Sequence, residues 1–226
     1  MNVFPRFIGI LTSPRATYAS VVAHPKWLGM YLLTATLIAF GAALPMTTDA
    51  GKQAAVDQQV SSMESFGMQV SDEQYAAFQK GTAIMPYTTA ASVIVFMLVL
   101  YLILAGILFA IFNAAMGGDA TYKQVLTVLV HSSVIAAVGA LFAGPLNYVR
   151  GSVSAPATLG ALLPMLDESS FMGKLASMLD LFTIWGTVVL AIGLAVLYRR
   201  KTQPIAMTLL TILVLILVCV AYLTSK

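Results

Sequence analysis

The sequence predicts an all-α integral membrane protein, a five-helix transmembrane bundle with a short N-terminal interfacial helix and a small helical outer loop. Two observations predict this class. Apolar residues make up 59% of the 226 residues and charged residues only 9%, whereas soluble domains carry about 45–50% and about 25%. Five segments are also apolar over close to the roughly 20 residues that a helix needs to cross a bilayer. These values exclude an ordinary soluble domain and a disordered chain.

The predicted spans belong to one membrane domain that covers residues 1–226. They lie at about 27–45, 87–115, 124–146, 176–198 and 204–223. The second of these is the longest, at about 43 Å of helix, so we expect it to tilt or to emerge from the lipid.

Two further segments predict helices that do not cross the membrane. Within residues 1–26, Pro14 suits the first turn of a helix that ends before Pro25, and this helix is expected to lie on the membrane surface. Residues 46–84 are too long for a simple connection. Ser71 and Gln74 form a capping box there, which predicts a small helical hairpin in the outer loop.

The distribution of Lys and Arg predicts the orientation. With the N-terminus inside, the inner segments carry seven of these residues and the outer segments five, and basic residues favour the cytoplasmic side. We therefore expect an N-in, C-out protein. The net charge of +3 is mild, so nucleic acid is not expected as a partner.

Small residues recur every fourth position in three spans, which lets helix backbones approach closely in lipid. We interpret these rows as the contacts of a compact bundle, with a homo-oligomer interface as the alternative. They are Ala35, Ala39 and Ala43; Ala136, Ala140 and Gly144; and Ala191 and Ala195.

The third and fourth spans carry the intramembrane polar residues. His131 lies ten residues into its span, about 15 Å deep and near the midplane, and is followed by Ser132 and Ser133. An ionisable group at that depth raises a functional hypothesis, against which stands a neutral, structural imidazole. Asp180 is the acidic residue of the fourth span and is expected at its outer boundary.

Catalytic patterns are missing from the sequence. It has no zinc-peptidase, nucleophile-elbow or P-loop motif. One cysteine, Cys219, and two histidines predict no disulfide, no metal site and no cofactor. We therefore expect a protein that is not an enzyme.

Two connections between spans carry the strongest local signals. Gly117 and Gly118 predict a tight turn before a helix capped by Thr121, with Asp119 and Lys123 as an i,i+4 ion pair. The loop between the fourth and fifth spans contains three consecutive basic residues, 199–201. With the topology above, both turns face the cytoplasm, and they are the candidate binding sites for a partner protein or for lipid: Gly117, Gly118, Asp119, Lys123, Arg199, Arg200 and Lys201.

The combination of three short motifs resembles the Yip family of Ypt/Rab-interacting membrane proteins. They are the stretch from Phe7 to Trp27, the glycine turn with its capped helix, and the run from Leu179 to Trp185 with Gly193. The resemblance implies five helices and a cytoplasmic N-terminus. Eukaryotic members bind Rab-type GTPases, but this chain lacks their Asp-Leu-Tyr-Gly-Pro segment and is more similar to the prokaryotic branch. That similarity implies the bacterial inner (cytoplasmic) membrane as its location.

Two functional hypotheses follow. The first is a non-enzymatic membrane adaptor or organiser that binds a membrane or cytoplasmic partner, or lipid, at the cytoplasmic face. The alternative is a transporter component, either a permease or an accessory subunit, that uses the polar groups around His131 and requires a water-accessible cavity there.

Overall fold

The structure is a computed structural model that describes residues 2–115, 117–163, 165–167 and 170–225. Helices form its regular elements: α1 (Val3–Thr12), α2 (Pro14–Ala23), α3 (Leu28–Ala43), α4 (Asp49–Ser65), α5 (Asp72–Lys80), α6 (Met85–Phe109), α7 (Tyr122–Ser132), α8 (Val134–Arg150), α9 (Leu159–Leu162), α10 (Phe171–Met178), α11 (Leu181–Leu197) and α12 (Thr202–Thr224). A π-helical turn, Ala110–Ala115, continues α6.

Three stretches are long and apolar enough to cross a membrane: 72–114, 122–150 and 202–224. They contain the predicted third and fifth spans and cover the predicted second span up to residue 114, and this confirms the class of helical membrane bundle. The predicted first and fourth spans correspond to α3 and α11, which have 16 and 17 residues. At about 1.5 Å per residue these helices are only about 24–26 Å long, so the count of five crossings stays a prediction.

The predicted start of the fourth span is wrong. The helix does not run from Ala176, because α10 ends at Met178 and α11 begins at Leu181. Between them the backbone pairs with residues 157–159: the Leu159 N–H donates to Leu179 O (3.0 Å) and the Leu181 N–H donates to Ala157 O (3.1 Å). Asp180 thus lies before the helix, in a bridge to Thr158.

The described residues pack into two compact units, and the first contains residues 2–36, 94–138 and 182–212. Its N-terminal segment forms two helices, α1 and α2, where the sequence predicted one. The fully buried Tyr18 of α2 donates a long hydrogen bond to Val128 O of α7 (3.5 Å). Gly193 of α11 admits the Tyr18 ring, because an added Cβ would lie 2.8 Å from it. Burial raises the pKa of the Tyr18 phenol, which stays a neutral donor.

The second unit contains residues 37–93, 139–181 and 213–225. It includes the predicted outer-loop hairpin, now seen as α4 and α5. The Tyr75 hydroxyl donates to Asp57 Oδ1 (2.8 Å) between these helices, and the Ser71 capping box is present at the start of α5. The small-residue row of α8 packs tightly in this unit, because a Cβ at Gly144 would lie 2.7 Å from the Gly41 Cα.

Candidate functional site

The glycine turn, residues 117–121, forms as the sequence predicted. Gly117 has φ +67°, a left-handed conformation that glycine adopts without steric cost. The Gly118 N–H donates to Phe112 O (2.9 Å). Thr121 and Gln124 form the capping box, in which the Thr121 N–H donates to Gln124 Oε1 (2.8 Å).

The predicted ion pair between Asp119 and Lys123 is wrong. Both residues are described, and no ion pair joins them. Helix α7 begins at Tyr122, so Asp119 lies outside it and the i,i+4 geometry of a helix does not apply. Asp119 instead lies within electrostatic range of the Tyr198 phenol.

Tyr198 brings the glycine turn next to the basic turn, which we define as Arg199, Arg200 and Lys201. Its ring stacks on Phe112 with centroids 4.8 Å apart. Its hydroxyl donates to Asn113 Oδ1 (2.7 Å), and Asn113 Nδ2 donates to Ala120 O (2.6 Å). Gly118 lies against the ring, because an added Cβ would be 2.5 Å from it. Two turns 80 residues apart in sequence therefore form one region of the first unit.

Asn113 reaches this region from the π-helical turn, Ala110–Ala115. Single π turns inside α-helices are rare and are frequent at functional sites. The wider turn ends the long helix α6, and its Phe112 and Asn113 side chains meet Tyr198. The irregular backbone thus lies at the site itself.

The basic turn ends α11 in a Schellman motif. The Arg200 N–H donates to Ala195 O (2.9 Å) and the Arg199 N–H to Val196 O (3.4 Å). Arg199 occupies the left-handed position with φ +52°. Glycine usually takes this position, and a side chain there costs about 1 kcal/mol. An exposed arginine therefore stands at a backbone position that favours glycine. Backbone strain of this kind is frequent at functional sites.

Two cavities border the basic turn. The polar cavity has a volume of about 730 Å³ and is lined by Arg15, Ala19, Ala195, Val196, the basic turn, Thr202 and Gln203. The apolar groove has a volume of about 480 Å³ and is lined by Leu108, Ile111, Phe112, the basic turn, Pro204, Ile205, Thr208, Leu209 and Ile212. The three basic residues are common to both.

The cations around the polar cavity are exposed, and most are unpaired. Arg15, Arg199, Arg200 and Lys201 are all exposed to solvent. In the described part of the chain, Arg15, Arg199 and Lys201 form no ion pair with an acidic side chain. Four cations of one sign, held close together, create a positive potential that attracts an acidic ligand.

His131, Ser132, Ser133 and Thr34 form a buried polar centre in the same unit. Each is at most 8% exposed. His131 Nδ1 lies 2.8 Å from Thr127 O on its own helix, so Nδ1 carries the proton and Nε2 is the acceptor. Ser132 donates to Leu129 O (2.7 Å), and Ser133 donates to Thr34 Oγ1 (2.9 Å). The serine hydroxyls are satisfied within the protein.

One cation lies near this centre. Arg6 of α1 is 4% exposed, and its Nη2 donates to His24 O (3.4 Å). Its charge lies within electrostatic range of His131. Arg6 Nε and His131 Nε2 are both buried without a hydrogen-bond partner among the described residues. Neither residue lines the polar cavity or the apolar groove.

The described residues contain no group of side chains suited to hold a metal ion. Within 2–115, 117–163, 165–167 and 170–225, no three His, Cys, Asp or Glu side chains lie close enough to share a metal ion. Cys219 is exposed, with a free thiol. The basic turn and the buried polar centre therefore remain the places where chemistry concentrates.

The comparisons with known proteins identify the family. The Yip1 domain matches residues 8–223. This chain belongs to the Yip1 domain family. It is similar to membrane protein YknW of Bacillus subtilis (strain 168), with 24% identity over 199 residues that cover 84% of this chain and 77% of that protein. No solved structure matches it.

The sequence analysis missed Arg6, Arg15, Thr34, Asn113 and Tyr198 as residues of these sites. Arg6 and Ile10 are the buried residues of α1, four positions apart on one face, and this spacing was a usable signal. Tyr198 directly precedes the basic triplet, where an aromatic residue suits the membrane interface. Nothing local indicates that Arg15 and Asn113 approach the basic turn, because their partners lie more than 80 residues away in sequence.

Proposed function

We propose that this Yip1 family membrane protein is a non-enzymatic adaptor that docks an acidic surface of a partner protein at its basic turn. One observation carries the proposal: Arg15, Arg199, Arg200 and Lys201 surround an open cavity of about 730 Å³. Three of these cations have no acidic partner in the described part of the chain. An acidic partner would supply the missing counter-charges and be steered toward the site.

The charge distribution supports a cytoplasmic position for this site. The basic turn is the densest group of cations in the sequence, and basic loops favour the cytoplasmic side. We propose the N-in, C-out orientation in the bacterial inner membrane on this ground. The proposed docking site then faces both peripheral proteins and the cytoplasmic loops of other membrane proteins.

The packing around His131 favours the adaptor over the transporter component. A permease would need a water-accessible path to this residue, but residues 125–135 are all buried. The polar cavity at the basic turn does not reach His131. The hydroxyls beside it already bond within the protein.

A crosslinking experiment in native membranes tests the adaptor. A photo-crosslinking amino acid at Gln203, an exposed residue of the polar cavity, should capture a protein partner at that position. The double variant Arg199→Gln/Lys201→Gln should lose the crosslink, whereas Lys52→Gln/Lys80→Gln, which removes the same charge, should keep it. Higher salt should weaken the crosslink, because exposed charges are screened.

The outcomes separate the possibilities. A salt-sensitive crosslink that only the basic-turn variant loses supports the adaptor, and sequencing of the crosslinked peptide should then find an acidic surface. A product of twice the chain's mass would identify a second copy instead and support a homo-oligomer. A crosslink that survives Arg199→Gln/Lys201→Gln at full yield would refute docking at the basic turn.

A further inference from the structure

The apolar groove and the polar cavity share the basic turn but differ in the rest of their lining. Its cationic end is formed by Arg199, Arg200 and Lys201, and the rest of its lining is apolar apart from Thr208. The apolar part comes from the end of α6 and from the first half of α12, both of which are membrane-type helices. The groove is therefore amphipathic along its length, with a charged end and a hydrocarbon-like end.

The dimensions of the groove fit one chain of a lipid. From Pro204 to Ile212, α12 rises by about 12 Å. Half of a bilayer's hydrocarbon core is about 15 Å thick. A groove that starts at a charged turn and extends about 12 Å along an apolar helix matches the part of a phospholipid from its phosphate to most of one acyl chain.

The charges decide which lipid fits. A phosphate that sits at the mouth of the groove meets Arg199 and Lys201, which have no acidic partner in the described residues. Guanidinium and ammonium groups bind phosphate oxygens by charge-assisted hydrogen bonds. A zwitterionic headgroup would bring its own cation to this cluster and lose part of that attraction. An anionic headgroup has no cation of its own and keeps the full attraction to Arg199 and Lys201.

We propose that the apolar groove is a binding site for one anionic phospholipid. Its phosphate lies against Arg199 and Lys201, and one acyl chain lies between Phe112 of the π-helical turn and Leu209 of α12. This site goes beyond the proposed adaptor function. It uses the apolar side of the basic turn, and it requires no protein partner and no particular orientation of the chain.

Native mass spectrometry of the detergent-purified full chain tests the proposal. The protein is titrated with phosphatidylglycerol and with phosphatidylcholine of identical acyl chains. We expect one tightly bound phosphatidylglycerol per chain and at least fivefold weaker binding of phosphatidylcholine, because each basic residue near anionic lipid contributes roughly fivefold. Equal binding of the two lipids would overturn the proposal.

Two variants separate the groove from diffuse attraction. Arg199→Gln/Lys201→Gln should weaken phosphatidylglycerol binding by roughly 25-fold, whereas Lys52→Gln/Lys80→Gln should leave it unchanged. Thr208→Trp keeps every charge and fills the groove, and it should also abolish the tight site. If the Lys52/Lys80 variant loses as much affinity, or if Thr208→Trp keeps the tight site, the groove is not the binding site.

The same variants distinguish this inference from the adaptor. Thr208→Trp leaves the polar cavity intact, so it should lose the lipid and keep the crosslink at Gln203. If the lipid binds as expected but no crosslink forms, the groove site stands and the adaptor fails. If the crosslink forms but phosphatidylglycerol and phosphatidylcholine bind alike, the adaptor stands and the lipid site fails.

Discussion

The buried polar centre and the basic turn are the two concentrations of polar groups in the first unit, and their hydrogen bonding differs. Around His131 the Ser132 and Ser133 hydroxyls donate to the protein itself. At the basic turn the side chains of Arg199 and Lys201 extend into open cavities with no acidic partner in the described residues. The serine hydroxyls need no ligand, although His131 Nε2 beside them has no hydrogen-bond partner among the described residues. The cations of the basic turn are open to an acidic ligand.

This difference shows why depth in the membrane is a weak guide to function in this chain. A midplane histidine attracts attention because ionisable groups there are costly. The structure meets part of that cost locally, with Thr127 O as the acceptor for His131 Nδ1. The basic turn instead keeps an unfavourable backbone conformation at Arg199, whose side chain forms no ion pair with an acidic residue in the described part of the chain.

Accessibility to water gives the largest expected contrast between the two regions. In a Cys219→Ala background, Arg200→Cys should react fully with a membrane-impermeant maleimide, and Ser132→Cys should stay unlabelled. Mass spectrometry of the intact protein measures both. Equal labelling at the two positions would reveal a water path to the buried polar centre and revive the transporter component.

The same labelling sharpens the orientation. Tyr75→Cys in the outer-loop hairpin should react in intact cells, whereas Arg200→Cys should react only after the cytoplasmic side is opened. Reaction of both from one side would refute the N-in, C-out topology.

Introducing a charge at His131 should cause the largest loss of stability among the variants. His131→Asp places a carboxylate among buried residues, where Arg6 is a cation within electrostatic range, and should cost up to about 3 kcal/mol of stability. His131→Asn keeps a neutral polar group, although a smaller one, and should cost less. Thermal unfolding in detergent measures both variants. Equal destabilisation by Asn and Asp would mean that the imidazole's own contacts, rather than its neutrality, hold the centre together.

The contact between the two turns can be broken with a single methyl group. Gly118→Ala would bring a Cβ within 2.5 Å of the Tyr198 ring and 2.8 Å of Phe112 O, and such overpacking costs about 1–3 kcal/mol. Gly106→Ala is the matched control, because nothing lies within 4 Å of its added Cβ. Similar unfolding temperatures for the two variants would contradict the packing of Gly118 against Tyr198.

The smallest expected change is a gain in stability rather than a loss, and it comes from replacing Arg199. Arg199→Gly should stabilise the protein by about 1 kcal/mol, because glycine adopts the left-handed conformation freely. It should also weaken phosphatidylglycerol binding and the Gln203 crosslink. Arg200→Gly, at a position without a positive φ, should bring no such stabilisation. Retention of both binding activities in Arg199→Gly would show that the strained arginine has no role in either site.

Sequence patterns predicted those parts of the fold that depend on neighbouring residues. The capping boxes of Ser71 and Thr121 form with the expected partners, because a cap involves residues only three positions apart. The second, third and fifth spans follow directly from apolar length. The glycine turn was also predictable, since glycine is favoured at a left-handed φ such as that of Gly117.

Long-range pairing could not be predicted in this way. The fourth span starts late because residues 157–159 pair with the backbone around Asp180, and apolar content alone does not reveal that competition. The approach of Asn113 to Tyr198 depends on a π-helical turn, for which hydropathy carries no signal. The cation cluster was thus predicted from the triplet, while its fourth member, Arg15, required the packing of α2.

Helix length has a consequence for the surrounding bilayer. Helices α3 and α11 reach only about 24–26 Å, several ångströms less than the roughly 30 Å of an average hydrocarbon core, whereas α6 with its π-helical turn runs for about 46 Å. A long helix can tilt, but a short one draws the lipid inward at a cost of fractions of a kcal/mol per ångström. With α3 and α11 as the predicted first and fourth crossings, we expect the protein to thin the membrane around them and to partition into the thinner of two coexisting bilayers.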